Sequence, residues 1–240
     1  MEFLNSIPKA QRKLFSESKY REINYNGILM KTYSWEGERP VLCIHGSNGY
    51  AAQFSAIIKS LIANGYSPVV VDIPSNDEDG CFLPTKSIGT YLLELSKVFG
   101  DFFCVICHSM GCNWSLWAMN HGLKTNKLVC LSPIANQEFI LNKFLEKYEG
   151  EKVELLKKIG DSFGENWMAE LSNINLCKKI KITSLIFHDT SDSYVPANEG
   201  GEKLSLLWPM SRLELTSGLG HTGSLRDNFV ISKIISYLMH

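Results

Sequence analysis

Three residues of reactive type sit just past the ends of β-favouring runs that lie far apart along the chain. Ser109 follows the run 102–108, Asp192 comes soon after 182–187, and His221 follows 212–216. A serine hydroxyl is a poor nucleophile until an imidazole accepts its proton. The imidazole in turn needs a carboxylate to fix its tautomer and to stabilise the imidazolium. In open α/β sheets ligands bind outside the carboxyl ends of the strands, which is where all three are expected. Their order, Ser then Asp then His, is the one that accompanies a serine on a strand–turn–helix elbow. Asp189 competes with Asp192 for the acid role. Asp192 stands later in the turn, just before Val195-Pro196, and is the better placed to reach across the edge to His221. Glycines at 220 and 223 leave room for the imidazole loop.

Around Ser109 the hydrophobic period changes within one residue. The run Phe102-Phe103-Cys104-Val105-Ile106-Cys107-His108 is strand-like, and Trp114, Leu116, Trp117 and Ala118 follow at helical spacing. A helix N-terminus behind the serine presents amides and a dipole that favour negative charge. Positions two before and two after such a serine must be small; Gly111 meets this, and Cys107 stands at the other. A Ser-x-Gly after a strand also occurs in ordinary turns, so Asp192 and His221 are needed for the chemical reading. Upstream, His45-Gly46-Ser47-Asn48-Gly49 closes another apolar run. It is read as an anion-binding loop whose Ser47 amide joins that of Met110 in an oxyanion hole; the alternative is a plain glycine turn into a helix at 51–64.

The elements needed to position these groups can be followed along the chain. Residues 3–19 read as a polar, weakly helical peripheral arm. Strands at 19–25 and 28–35 flank Asn26-Gly27, a strong hairpin signal. The apolar run 41–44 and the run 69–72, which ends in Asp72, have the composition of strands buried on both faces of a parallel sheet. Asp72, preceding the serine in sequence, is read as turn-stabilising. A polar loop at 74–86 leads to a helix at 87–98, and a strand follows at 127–131. Residues 136–176 form an amphipathic insertion, either a helical cap over the sheet edge or long crossover helices, the cap being favoured. Phe144, Phe163, Trp167 and Met168 are its candidate pocket-liners, each with ordinary core packing as the alternative. A helix at 197–207 and a last helix at 224–239 complete the pattern.

The chain has 240 residues and a net charge of −1 with both signs interspersed. That length suits one α/β domain spanning 1–240 with a small insertion. The charge pattern implies neither nucleic-acid nor membrane partners. The first residues lack a secretory pattern, and no apolar stretch reaches the roughly 20 residues of a membrane span, so a cytoplasmic protein is expected. Seven cysteines without framework spacing, several of them inside strands, fit free thiols acting as small apolar fillers. Cys104-Val105-Ile106-Cys107-His108 matches the haem-attachment string, but three-residue spacing in a strand sends the two thiols to opposite faces. Of the other histidines, His45 and His108 are read as making fixed structural hydrogen bonds.

Cys107-His108-Ser109-Met110-Gly111 resembles the nucleophile elbow of the α/β-hydrolase superfamily. His45-Gly46 is similar to its oxyanion loop, His188-x-x-x-Asp192-x-x-Val195-Pro196 to its acid turn, and Gly220-His221 with Leu225-Arg226-Asp227 to its histidine loop. The resemblance covers about residues 20–239 and is nearest to small bacterial esterase-like members with a short helical cap. It implies a mostly parallel eight-stranded sheet with helices on both faces and a Ser109–His221–Asp192 triad, with no metal and no cofactor. Cys107 and Asp189 depart from it, each standing where glycine is usual. The expected activity is hydrolysis of a small-molecule carboxylic ester or thioester. Acyl transfer, carbon–carbon bond hydrolysis and a non-turning ligand-binding role are the alternatives. Dehalogenase and epoxide-opening chemistry is disfavoured because it uses an elbow carboxylate.

Overall fold

The β-favouring runs pair into a single sheet in this computed structural model, which describes residues 2–25, 28–74, 85–145 and 172–240. The strands are β1 (Lys19–Tyr25), β2 (Ile28–Ser34), β3 (Arg39–Ile44), β4 (Tyr66–Asp72), β5 (Phe102–His108), β6 (Thr125–Leu131), β7 (Ser184–Asp189) and β8 (Ser211–Thr216). Their order is β1-β2-β4-β3-β5-β6-β7-β8. Only β2 opposes its neighbours, pairing antiparallel with β1 and β4; from β4 to β8 every pairing is parallel. The β1–β2 hairpin closes with Tyr25 opposite Ile28, as the sequence pattern requires. Its turn residues, Asn26-Gly27, lie outside the described residues.

Alternation along the central strands divides the core into two layers. Leu42, Ile44, Val69, Val71, Val105 and Cys107 face the helices Thr85–Phe99 and Met110–Asn120. Val41, Cys43, Val70, Cys104 and Ile106 face the helices Ser55–Ala63 and Asn228–Met239. Apolar runs of this kind are stable only when helices cover both faces, which explains their lack of polar positions. Cys104 and Cys107 do point to opposite sides, as strand geometry demands.

Several boundaries differ from the sequence reading. The N-terminal arm is not peripheral: Ile7 and Phe15 are buried, and Phe15 packs edge-on against Tyr33 and Trp35. A few large apolar side chains outweigh the polar majority of that segment. The helix expected at 51–64 opens as a 3-10 turn, Ala51–Phe54, before the α-helix Ser55–Ala63. The last helix begins later than expected, at Asn228, because the Asp227 carboxylate accepts from the Val230 amide at 3.0 Å and caps it. Of the insertion, the helices Gln137–Leu145 and Asn173–Cys177 are described, and residues 146–171 between them are not.

A buried polar chain ties the end of that insertion to the body. Thr85 Oγ1 donates to Asn113 Oδ1 at 2.8 Å, Asn113 Nδ2 to Asn173 Oδ1 at 2.9 Å, and Asn173 Nδ2 to the Ile134 carbonyl at 2.6 Å. Removing a member strands buried partners, which costs more than a hydrogen bond contributes. Asn113→Ala is expected to lower unfolding free energy by about 1–3 kcal/mol in chemical denaturation. Phe15→Ala, which empties a fully enclosed site, should cost about 3–5 kcal/mol in the same measurement.

Candidate active site

The chain turns from β5 into the helix Met110–Asn120 through Ser109 alone, at φ 52° and ψ −122°. A serine rarely holds a positive φ, at a cost of roughly 1–3 kcal/mol, and does so only where its surroundings fix it. Here they do. The Ser109 amide donates to the Leu131 carbonyl at 3.0 Å, and the Cys112 amide returns to the Ser109 carbonyl at 3.0 Å. A methyl group at Gly111 would lie 2.5 Å from the His45 carbonyl oxygen. One at Gly46 would lie 2.8 Å from the Ser109 β-carbon. The two loops therefore touch backbone to backbone beside the serine. Cys107 fits the position where glycine is usual by burying its thiol in the helix-side core and donating to the Val129 carbonyl at 3.3 Å.

The three residues singled out from sequence come together. His221 Nε2 lies 3.0 Å from Ser109 Oγ, and His221 Nδ1 lies 2.7 Å from Asp192 Oδ2. Ser109 and Asp192 are buried, and the His221 side chain retains a modest exposure of 16 %. The imidazole is carried on a short helical turn, Gly220–Gly223, and not on the open loop expected. Asp192 Oδ1 accepts the amides of Tyr194 and Val195, each at 2.9 Å, so its own turn orients the carboxylate. Burial pushes its pKa up. Hydrogen bonds from His188, His221 and the Val195 amide outweigh that and hold it well below the usual carboxylate range.

Asp189, the competing acid, does not touch His221. Its carboxylate accepts from the amides of Ser191, Leu219 and Gly220 and from the Thr216 hydroxyl. His188 is enclosed too, with Nε2–H donating to the Val195 carbonyl at 2.8 Å and Nδ1 accepting from the Gly201 amide at 2.9 Å. His108 Nε2–H donates to the His221 carbonyl at 2.9 Å. Burial, followed by the charge of His221, pushes His108 down to about 4. His45 Nδ1–H donates to the Gly46 carbonyl at 2.7 Å, and its Nε2 accepts from the Ile73 amide at 2.9 Å. Asp72 anchors the adjoining turn, accepting from the Ala51 amide and the Tyr33 hydroxyl. The fixed structural bonds expected of His45 and His108, and the turn role of Asp72, are thus observed.

The Gly46–Gly49 turn is closed by the Gly49 amide on the Gly46 carbonyl at 3.0 Å, with Asn48 at φ 57°. Among the described residues no backbone acceptor takes up the Ser47 or Met110 amide. Met110 opens its helix, where amides have no partner one turn earlier. Sequence reasoning missed Tyr194 and Lys143. The Tyr194 ring, half exposed, lies 4.9 Å from that of His221. Lys143 Nζ reaches from the helix Gln137–Leu145 to the carbonyls of Ser193 and Tyr194 at 3.2 and 2.8 Å. No sequence period marks such contacts, since they depend on how the insertion meets the acid turn. Of the expected pocket-liners, Phe163, Trp167, Met168 and the Phe144 side chain lie outside the described residues.

Among the described residues one cluster has metal-ligand spacing: Cys107, Cys112 and Cys130, with sulfurs within 4.8 Å of one another. Cys107 and Cys112 donate to backbone carbonyls in a dry apolar layer, as neutral thiols do. The cluster fits packing better than ligation.

No family model matches the chain, and no curated protein does. Solved structures match it over nearly its whole length. An esterase from Exiguobacterium antarcticum is 18% identical, with 90% of this chain and 97% of that one covered at a TM-score of 0.69. A bromoperoxidase from Bacillus anthracis is 14% identical over 92% and 99% at 0.70. An esterase from Rhodococcus sp. is 14% identical over 93% and 98% at 0.68. The chain has the α/β-hydrolase fold. Within this fold the carboxyl edge of the sheet carries the Ser109, Asp192 and His221 cluster. No helix among the described residues is long and apolar enough to cross a membrane.

The buried titratable groups set a pH signature. His108 has a folded pKa near 4, below its unfolded value of about 6.5. Its contribution is present above about pH 6.5 and is lost as pH falls toward 4. Asp189 and Asp192 are likewise depressed, so their contributions are present above about pH 4 and lost on further acidification. Burial also depresses His45, so melting temperature should fall in two stages below pH 6.5, and His108→Gln should reduce the upper stage.

Proposed function

We propose that this protein is a serine hydrolase that cleaves a small-molecule carboxylic ester or thioester through an acyl-enzyme on Ser109. The observation that carries this reading is the unbroken hydrogen-bonded path from Ser109 Oγ through the His221 ring to Asp192 Oδ2. In this scheme Ser109 Oγ attacks the acyl carbon as His221 Nε2 takes the hydroxyl proton. The carbonyl oxygen becomes an oxyanion, held by the amides of Met110 and Ser47; a good donor of this kind contributes about 3–4 kcal/mol. His221 then gives its proton to the departing alkoxide or thiolate, leaving the acyl group on Ser109. A water molecule, deprotonated by the same nitrogen, attacks the ester, and the free acid leaves as Ser109 recovers its proton. Asp192 stays ionised throughout and stabilises the imidazolium.

Esterases of the same fold among the structural neighbours support this class of reaction. The elbow serine, where dehalogenases and epoxide-opening enzymes use a carboxylate, supports acyl chemistry. We assign the chain a single domain with the insertion at about 136–176 as its cap.

Ser109→Ala is expected to lower turnover of nitrophenyl esters at least ~10⁴-fold without changing the melting temperature by more than a few degrees. A fluorophosphonate probe should add once to the wild-type chain, at Ser109 by peptide mass spectrometry. Undiminished turnover by the purified alanine variant would remove Ser109 from the reaction. Acyl-amine or acyl-alcohol products on addition of acceptors would redirect the assignment to acyl transfer.

A further inference from the structure

Asp189 stands where the family resemblance has glycine, and the structure gives it a use that glycine could not supply. It is 1% exposed at the end of β7, and no cation pairs with it among the described residues. Its Oδ1 accepts the amides of Ser191 at 2.9 Å and Gly220 at 3.0 Å. Its Oδ2 accepts the Thr216 hydroxyl at 2.8 Å and the Leu219 amide at 3.0 Å. Ser191 immediately precedes Asp192, and Gly220 immediately precedes His221. One carboxylate thus holds the two loops whose next residues must meet at 2.7 Å. Burial alone would raise its pKa, but these donors, the Leu219 amide foremost, keep it below the ordinary carboxylate range and hence charged.

We infer that Asp189 is a positioning residue that sets the register of the acid turn against the histidine loop; the inference rests on the serine-hydrolase reading above. Its effect passes through the placement of His221 against Asp192 and Ser109, because its carboxylate bonds none of the three reacting side chains. An asparagine there keeps one acceptor oxygen. With that oxygen at the Oδ1 site, the Thr216 hydroxyl can rotate to accept from the new amide, and only the Leu219 amide loses its partner. Alanine leaves all four donors without one. The graded damage predicts a graded loss.

The experiment compares wild type, Asp189→Asn, Asp189→Ala, His221→Ala and the Asp189→Ala/His221→Ala double variant on a nitrophenyl ester. Small displacements of reacting groups cost up to about 100-fold, so kcat should fall about 10-fold for asparagine and about 100-fold for alanine, with KM unchanged. In the His221→Ala background the alanine change should have no further effect, whereas a generally structural role would lower turnover in both backgrounds. Proton NMR gives a readout independent of turnover: the low-field His221 Nδ1–H signal of the bond to Asp192 should shift or vanish in Asp189→Ala. Thr216→Val, which deletes one donor and leaves the carboxylate, should show a several-fold loss if Asp189→Ala does not fold. Wild-type kcat in a folded Asp189→Ala protein, or an unmoved Nδ1–H signal, overturns the inference. A wild type that neither turns over ester nor takes the fluorophosphonate overturns the hydrolase reading instead, and the NMR comparison still decides the role of Asp189.

Discussion

The arrangement depends on a close approach of backbones at the end of the central strands. Ser109 can be held at a positive φ only because the helix that follows it starts against the end of β3, and Gly111 is what permits that contact. Gly46 performs the same service from the facing loop, which lies against the serine itself. Strain of this kind persists only when neighbours over-determine it. Here the neighbours are two parallel strands locked by buried apolar residues on both faces. The packed interior and the fixed geometry of one buried hydroxyl are thus parts of one mechanical system.

A second level of order lies in the acid turn after β7. Asp192, Asp189 and His188 are all enclosed, and the polar atoms of each are taken up by neighbouring backbone and side chains. Asp192 addresses the imidazole, Asp189 the loop that carries it, and His188 the backbone leading into the next helix. In a dry environment such bonds are strong and unforgiving of partial occupancy, which gives a unique geometry at the cost of tolerance to substitution. The insertion enters this system at one described point, Lys143, whose ammonium binds the carbonyls of Ser193 and Tyr194.

Much of the fold and of the candidate cluster was legible because each rests on a local signal. The switch of period at Ser109, the apolar runs 41–44 and 69–71, and the Asn26-Gly27 hairpin are written in consecutive residues. The order of Ser109, Asp192 and His221 could be read because all three follow strands. What escaped was decided by tertiary packing. The arm reads as peripheral until Phe15 is seen enclosed by Tyr33 and Trp35. Asp189 reads as a rival acid until its oxygens are found facing amides from a loop some thirty positions on. Tyr194 carries no pattern of its own; its place beside His221 follows from the turn that Asp192 makes.

The six described cysteines are buried, and none is paired in a disulfide. Cys43, Cys104, Cys107 and Cys130 belong to the central strands, and Cys112 to the helix behind Ser109. A water-borne alkylating reagent reaches these sulfurs only when the sheet opens, so the rate of their modification follows the opening equilibrium of the innermost layers. The chain therefore carries a native chemical clock for the breathing of its own interior, readable strand by strand.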